Sequence, residues 1–161
     1  MDCSSDEQSK GVAMKWAYPT EARVHAVGRN LRKADCDEVW LSHRMEGLDA
    51  VVTSWRESKV CRCMTTENDE VVGITGLVGN RIWMLGTDNL IATRQNRVQL
   101  CINGRDWVKH CLSAAGMAIG NDVYSKNTDS IRWLKHLGFE VAKPRPMGHS
   151  GALFCEFWMT P

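Results

Sequence analysis

One segment near the end of the chain, residues 127–140 (NTDSIRWLKHLGFE), constrains the fold more than any other. Asn127 or Thr128 can cap the start of a helix, and Asp129 suits the positive end of the helix dipole. Gly138 can take the left-handed conformation that ends a helix. Between them, apolar side chains recur on one side at helical spacing, at Ile131, Leu134 and Leu137. The segment therefore predicts a packed helix, and the alternating residues that follow it predict a strand.

The hydrophobic spacing changes along the rest of the chain, and each change predicts a new element. The two-residue turn signal Gly79-Asn80 predicts a hairpin within an antiparallel meander of three strands. Strands are predicted at 23–27, 60–64, 70–78, 82–85, 117–125, 139–142 and 153–159. Helices are predicted at 28–34, 35–43, 47–56 and 98–115. This order predicts an α+β fold in which helices flank a mixed, mostly antiparallel sheet.

Length and composition predict one domain with a real core. The chain has 161 residues, of which 43% are hydrophobic and 24% charged. Residues 1–18 are predicted to be a flexible segment, because their polar start can bury little surface, and residues 19–161 to be a single domain. The formal charge of +1 gives no global field that would indicate nucleic acid or an anionic membrane as partner. The sequence leaves the oligomeric state open.

The distribution of apolar residues and of cysteines predicts a cytoplasmic protein. No apolar run approaches the roughly 20 residues that a membrane-spanning helix needs, and residues 1–10 lack the apolar core of a secretion signal. The chain has seven cysteines, an odd number spread over its whole length, which favours free thiols in a reducing compartment. Cys61 and Cys63 lie on one side of a predicted strand, but no second pair follows at a zinc-like spacing, so no metal site is predicted.

The element order and several residues resemble the GNAT acetyltransferase fold. Members of that family often carry an asparagine after the fifth strand and a leucine-glycine-phenylalanine segment at the end of the next helix, which Asn127 and Leu137-Gly138-Phe139 match here. Over residues 82–141 the chain is more similar to the GNAT-like internal virion assembly proteins of short-tailed phages. The matching residues are Thr87-Asp88, Asn127-Thr128 and Ile131-Arg132-Trp133-Leu134-Lys135.

The resemblance implies a set of site residues. If coenzyme A binds, Arg94 and Arg97 would contact its pyrophosphate and Asn127 its pantetheine arm. Glu70 and Asp88, near the ends of predicted strands, are weak candidates for a general base, and solvated strand ends are the competing interpretation.

Two departures from the family pattern count against acyl transfer. GNAT enzymes hold the pyrophosphate on backbone amides where two glycines let it approach closely, whereas residues 92–99 (ATRQNRVQ) contain no glycine. Leu134 occupies the position of the tyrosine that often protonates the departing thiolate, and leucine has no proton to give.

Two functions follow as alternatives. In the first, the chain is a non-catalytic GNAT-like phage protein without a cofactor, which acts in virion assembly or binds a phage or host protein. It would work in the host cytoplasm and could be incorporated in a virion. In the second, it is an acetyl-CoA-dependent N-acetyltransferase with an atypical pyrophosphate loop.

Trp40 and Trp55, on the early predicted helices, are candidates for a protein contact surface.

Overall fold

The computed structural model describes residues 14–161, which form a mixed sheet with helices on both faces. The strands are β1 (Lys15–Ala17), β2 (Val60–Thr65), β3 (Val71–Val78), β4 (Arg81–Gly86), β5 (Ile119–Tyr124), β6 (Glu140–Val141), β7 (Arg145–Met147) and β8 (Ala152–Met159). The helices are α1 (Glu21–Arg29), α2 (Lys33–His43), α3 (Gly47–Glu57), α4 (Arg94–Ala115) and α5 (Thr128–Leu137).

The strand order is β1-β2-β3-β4-β5-β8-β6, and β7 also pairs with β8. Every paired couple is antiparallel except β4 and β5, which run parallel. The parallel couple is possible because the long helix α4 connects its two strands. The predicted α+β architecture, with a mixed and mostly antiparallel sheet flanked by helices, is confirmed.

Side chains of the central strands point alternately to the two faces of the sheet, so each face has its own core. Cys61 and Cys63 of β2 point to one face, where they pack with α1 and α3, and Met64 points to the other face, beneath α4. A third cluster lies where α4 and α5 cover β5 and β8, and it includes Leu134, Leu137, Phe139 and Phe157.

Helix α1 corrects the sequence-based prediction of a strand at 23–27 and of a helix at 28–34. Thr20 caps its start by accepting a hydrogen bond from the amide of Arg23 at 3.2 Å. Val24, Val27 and Gly28 are its buried positions, a helical spacing that a short, valine-rich stretch conceals. A side chain at Gly28 would lie 2.8 Å from Leu48 Cδ1, so this glycine lets α1 approach the start of α3.

Two short strands were not predicted. β1 pairs with β2 and lies inside the segment that was predicted to be flexible, of which residues 1–13 are outside the described part of the chain. β7 pairs with β8 through Pro146, and proline signals a loop rather than a strand. The end of α5 follows its prediction, because Gly138 has a φ of 100° and its amide bonds back to the last helical turn.

Helix α2 is fastened to the end of β4 by a buried charged pair. Asp35 is only 4% exposed, and its carboxylate accepts bonds from the Arg32 guanidinium at 2.7 and 3.1 Å and from the Gly86 amide at 2.8 Å. The Arg32 amide in turn donates to the Gly86 carbonyl at 2.9 Å. Helix and strand are therefore joined by reciprocal hydrogen bonds that water reaches poorly.

Removing the Asp35 carboxylate should be strongly destabilising. In Asp35→Ala the buried Arg32 charge and the Gly86 amide both lose their acceptor, which costs about 3–5 kcal/mol in the free energy of unfolding. Urea titration of the variant measures this cost. The matched control is Asp37→Ala in the same helix, which removes only the exposed Lys33–Asp37 pair and should shift the midpoint little. Equal midpoint shifts in the two variants would contradict the role given to Asp35.

Candidate functional site

The sheet splits between its two parallel strands. Within residues 14–161, β4 and β5 share one paired position, Arg81 opposite Gly120, and then separate. Each strand is fully paired on its other side, β4 with β3 over six positions and β5 with β8 over six positions. The split is therefore a gap inside the sheet and not a frayed edge.

The split opens into a cleft with a cavity volume of about 530 Å³. Helices α2 and α3 border it on one face of the sheet, and α4 and α5 border it on the other. Its polar lining includes Arg32, Asp35, Glu38, Glu57, Arg81, Asp122 and Asn127, and its apolar lining includes Met84, Trp107, Trp133 and Leu134. Such a cavity, apolar with a few converging polar groups, is typical of a ligand site.

The carboxyl of Glu38 is the most perturbed acid of the cleft. Burial raises its pKa to about 7, and the neighbouring Asp35 adds to the rise. The Asn127 amide nitrogen, which donates to Glu38 Oε2 at 2.9 Å, works against the rise. The backbone of Tyr124 and the Arg32 guanidinium also favour the charged form. A carboxyl with such a pKa exchanges its proton near neutral pH, which suits either a general base or a receptor for a cation.

Asn127 lies at the point where β5 leaves the sheet and α5 begins. Its backbone amide donates to the Tyr124 carbonyl at 2.9 Å, and its own carbonyl accepts from the Ile131 amide. The side chain makes no capping bond to α5, because its amide nitrogen is directed to Glu38. Asn127 therefore positions Glu38 in the cleft, while its predicted contact with a pantetheine arm stays a prediction.

The far end of α2 is held by the turn between β7 and β8. Ser150 Oγ donates to the Leu41 carbonyl at 3.0 Å, and the His149 ring meets Trp40 edge-on, with 6.5 Å between the ring centroids. Met147 and Gly148 of the same turn line the cleft. Helix α2 thus lies over the split, with its start on β4 and its end on the β7–β8 turn.

A second cavity of about 510 Å³ lies between the start of α4 and helix α5. Its charged lining consists of Arg32, Arg97 and Arg132 together with Asp129. Four residues line both cavities and so lie between them: Arg32, Met84, Ser130 and Trp133.

The start of α4, where the resemblance would place coenzyme A phosphates, is closed by its own side chains. Thr93 Oγ1 accepts from the Asn96 amide at 3.0 Å, which occupies one of the amides that an anion needs. Asn96 Nδ2 donates to the Asn89 carbonyl, and Arg97 donates to the Ile91 carbonyl at 2.9 Å. Arg94 is exposed. These residues fit a pyrophosphate poorly, because the Asn96 amide and the Arg97 guanidinium are both engaged and no glycine lets a phosphate approach the backbone closely.

The two candidate general bases lie away from the cleft. Glu70 is exposed and accepts from Asn89 Nδ2 at 2.6 Å, and Asp88 is exposed at the start of a 3-10 turn that follows β4. Neither lines either cavity, so the geometry gives them no substrate groove to act in. Sequence reasoning missed Glu38, although its signal was present: Asp35 and Glu38 are three residues apart and share one side of a helix.

The cysteines of β2 have no chemistry of their own. Burial raises the pKa of the Cys61 thiol to about 12 and that of Cys63 to about 11, which leaves both protonated and inert. Residues 14–161 contain no group of three potential metal ligands. Trp55 of α3 is partly buried against the core between α1 and the sheet, whereas Trp40 is 47% exposed, and a contact surface formed by the two stays a prediction. In the same part of the chain, no helix is long and apolar enough to cross a membrane.

The fold matches solved acetyltransferase structures over nearly the whole chain. Ard1 from Thermoplasma volcanium is 15% identical with a TM-score of 0.65, and the match covers 92% of this chain and 98% of that one. A GCN5-related N-acetyltransferase from Kribbella flavida is 12% identical with a TM-score of 0.62 and the same coverage, 92% and 98%. Spermidine N-acetyltransferase from Vibrio cholerae, in complex with CoA and spermine, is 6% identical with a TM-score of 0.62, covering 91% and 95%.

At these identities the likeness shows the fold alone. The predicted GNAT fold is confirmed, and the closer similarity to phage virion proteins stays a prediction. No family model and no curated protein matches the sequence.

The raised pKa of Glu38 predicts a specific pH dependence of stability. Because the folded-state pKa of about 7 exceeds the usual value of 4.5, folding favours the protonated carboxyl, and this contribution is lost as pH rises from about 4.5 through about 7. Relative to Glu38→Gln, the natural protein should lose up to about 3 kcal/mol in free energy of unfolding over that interval. Urea titrations of both proteins between pH 4 and 8 measure the difference. A difference that stays constant with pH would show that Glu38 titrates normally.

Proposed function

We propose that this GNAT-fold chain acts by binding another protein and does not transfer acyl groups, and that its partner belongs to a bacteriophage particle or to the phage's host. The proposal places the protein in the host cytoplasm during particle assembly, with incorporation in the virion as a possible end point. The confirmed fold supplies the scaffold, and the residues at the start of α4 and in α5 support the absence of acyl transfer.

The observation that carries the proposal is the closed start of α4. An enzyme that uses coenzyme A needs free backbone amides and room at this point. Here the Thr93 hydroxyl occupies the Asn96 amide, and the Arg97 guanidinium bonds to the Ile91 carbonyl. Any phosphate would have to displace these bonds before it gained its own.

Side chains also lie between the start of α4 and the cleft. Trp133 lines both cavities, packs against Gly104 and contributes to the core beside α5. Leu134, at the position of the usual proton donor, is buried in that core. The chain therefore retains the packing of the α5 region without a thiol-protonating group there.

The residues that resemble the phage proteins have structural roles here. Thr87 is buried, its amide and hydroxyl both donate to the Val72 carbonyl, and its backbone pairs with Leu31. The matching stretch of α5 supplies Ile131 and Leu134 to the core. A similarity carried by such positions favours a common scaffold, which a particle component needs whether or not it is an enzyme.

One observation favours the alternative, an acetyl-CoA-dependent N-acetyltransferase. The carboxylate of Glu38 lies in the cleft with a pKa of about 7, so it can accept a proton from an ammonium group that enters there. In this alternative Arg94 and Arg97 would contact the pyrophosphate, and Arg97 would first have to release the Ile91 carbonyl.

Calorimetric titration with acetyl-CoA separates the two functions. We expect no saturable heat up to millimolar ligand, because a phosphate would have to displace the bonds that the Asn96 amide and the Arg97 guanidinium already make. Desulfo-CoA, which cannot react, serves as the control for binding without chemistry. For each titration, the circular dichroism spectrum must show that the protein is folded.

Saturable micromolar binding would overturn the proposal in favour of the enzyme. In that case Arg94→Ala and Arg97→Ala should each weaken binding at least about tenfold, since each removes a charged contact worth about 1.4 kcal/mol or more. The matched control is Arg29→Ala, an exposed arginine at the end of α1, which should leave the affinity unchanged.

A further inference from the structure

We propose that the outward face of α4 binds an acidic amphipathic helix of the partner protein. This inference rests on the proposed function and names the surface and the partner chemistry that it uses. It follows from the spacing of the exposed side chains on α4, the two apolar residues among them and the cations beside them. Four residues form this surface, the α4 stripe: Val98, Ile102, Arg105 and Lys109.

The α4 stripe faces away from the sheet. The buried residues of the helix are Leu100, Gly104, Trp107, Val108 and Cys111, and they lie on its opposite side. All four stripe residues are exposed, and they follow one another at intervals of four, three and four positions. In an α-helix this spacing places side chains in one row along the axis, and a second helix packs along such a row.

Val98 and Ile102 are apolar side chains that water reaches. They are 47% and 55% exposed, and one turn apart they are neighbours on the helix surface. Both are branched at Cβ, which lowers helix propensity, so neither the core nor the helix itself accounts for their presence. Adjacent exposed apolar groups rimmed by polar ones are typical of a protein contact surface.

The α4 stripe and its flank towards α5 carry a local excess of positive charge. Helices α4 and α5 together contain six lysines and arginines against two aspartates. Arg105 Nη2 lies 3.2 Å from His136 Nε2 of α5, and the side chain of Arg132, one turn earlier in that helix, is 81% exposed. Within residues 14–161, neither Arg105 nor Lys109 forms an ion pair. The charge of +1 for the whole chain does not reveal this local field.

These cations select the partner. A helix that packs along the α4 stripe lays its own apolar row on Val98 and Ile102. The residues beside that row then lie next to Arg105, Lys109 and Arg132. Acidic side chains at those positions are attracted, and basic ones are repelled. A second copy of this chain fits poorly, because two such faces would bring two cationic surfaces into contact.

Two other anionic partners match the surface less well. A nucleic acid is held through its phosphates, which gain nothing from Val98 and Ile102, and these residues are half of the α4 stripe. A helix that lies in a membrane surface needs an apolar face along its length, whereas here the apolar part covers one turn. Both are therefore measured as competing ligands.

A displayed library of helical peptides, selected against the purified full chain, tests the proposal. Each peptide is about three heptads long, with apolar residues at the two core positions and glutamate, lysine or glutamine varied beside them. We expect the enriched peptides to carry glutamate at the varied positions. The best peptide is then synthesised, and its affinity is measured by fluorescence anisotropy.

Ile102→Gln should weaken the best peptide at least about tenfold, because it removes an apolar contact at the centre of the interface. Glutamine suits an exposed helix position at least as well as isoleucine, so the variant should fold. The matched control is Leu153→Gln, which changes a 46% exposed apolar residue of β8 and should leave the affinity unchanged.

A charge exchange tests the cationic flank. Lys109→Glu should weaken the acidic peptide at least about fivefold, and a peptide with lysine in place of one glutamate should recover binding to that variant. A loss caused by disturbed folding would not be recovered by a change in the peptide. Arg29→Glu, at the end of α1, is the control for a charge reversal elsewhere and should leave the affinity unchanged.

Duplex DNA and phosphatidylserine vesicles, titrated at the same ionic strength, should not bind measurably. Four results would overturn the proposal: no enriched peptide, enrichment without a preference for glutamate, unchanged affinity in Ile102→Gln, or binding of the duplex or the vesicles in place of the peptide.

The failure of the proposed function is distinguishable, because it would appear as saturable binding of acetyl-CoA. If neither acetyl-CoA nor any peptide binds, the proposal for the α4 stripe fails alone. If both bind, the proposed function fails and the α4 stripe remains a protein contact surface.

Discussion

The separation of β4 from β5 is the constraint on which the rest of the structure depends. Opening a sheet in its interior leaves amides and carbonyls that need partners other than the neighbouring strand. Helix α2 supplies partners at the end of the split that lies beside Gly86 and Tyr124. Asp35 accepts from the Gly86 amide, and Glu38 bonds with the Tyr124 backbone. The position of α2, the buried Arg32 beside Asp35 and the direction of the Asn127 side chain all follow from that requirement.

The unusual electrostatics of the cleft have the same origin. A carboxyl that lies over a split sheet is shielded from water by the helices above it, so burial raises the pKa of Glu38. The Asp35 carboxylate, by contrast, accepts bonds from Arg32 and from a backbone amide. Two carboxylates one helical turn apart therefore differ in role: one fastens the helix, and the other remains available to a ligand.

The sequence predicted elements whose signals are local and left out those that depend on contacts. Helix α5 was predictable because Ile131, Leu134 and Leu137 recur at helical spacing before Gly138, and the β3–β4 hairpin because of Gly79-Asn80. Helix α1 was mistaken for a strand since its helical face is defined by packing against α3. Glu38 was missed for the same reason: only the path of α2 across two separated strands turns a helical glutamate into part of a cleft.

The two ends of α2 are anchored with unequal strength. Its start is held by the Arg32–Asp35 pair and two bonds to Gly86, all shielded from solvent, whereas its end is held by the exposed Ser150 hydroxyl and one ring contact at His149. Water competes readily for the second set and poorly for the first. If the cleft widens, the His43 end of α2 is therefore the end expected to move, and such a movement breaks the bond from Asn127 to Glu38 before the bonds to Gly86.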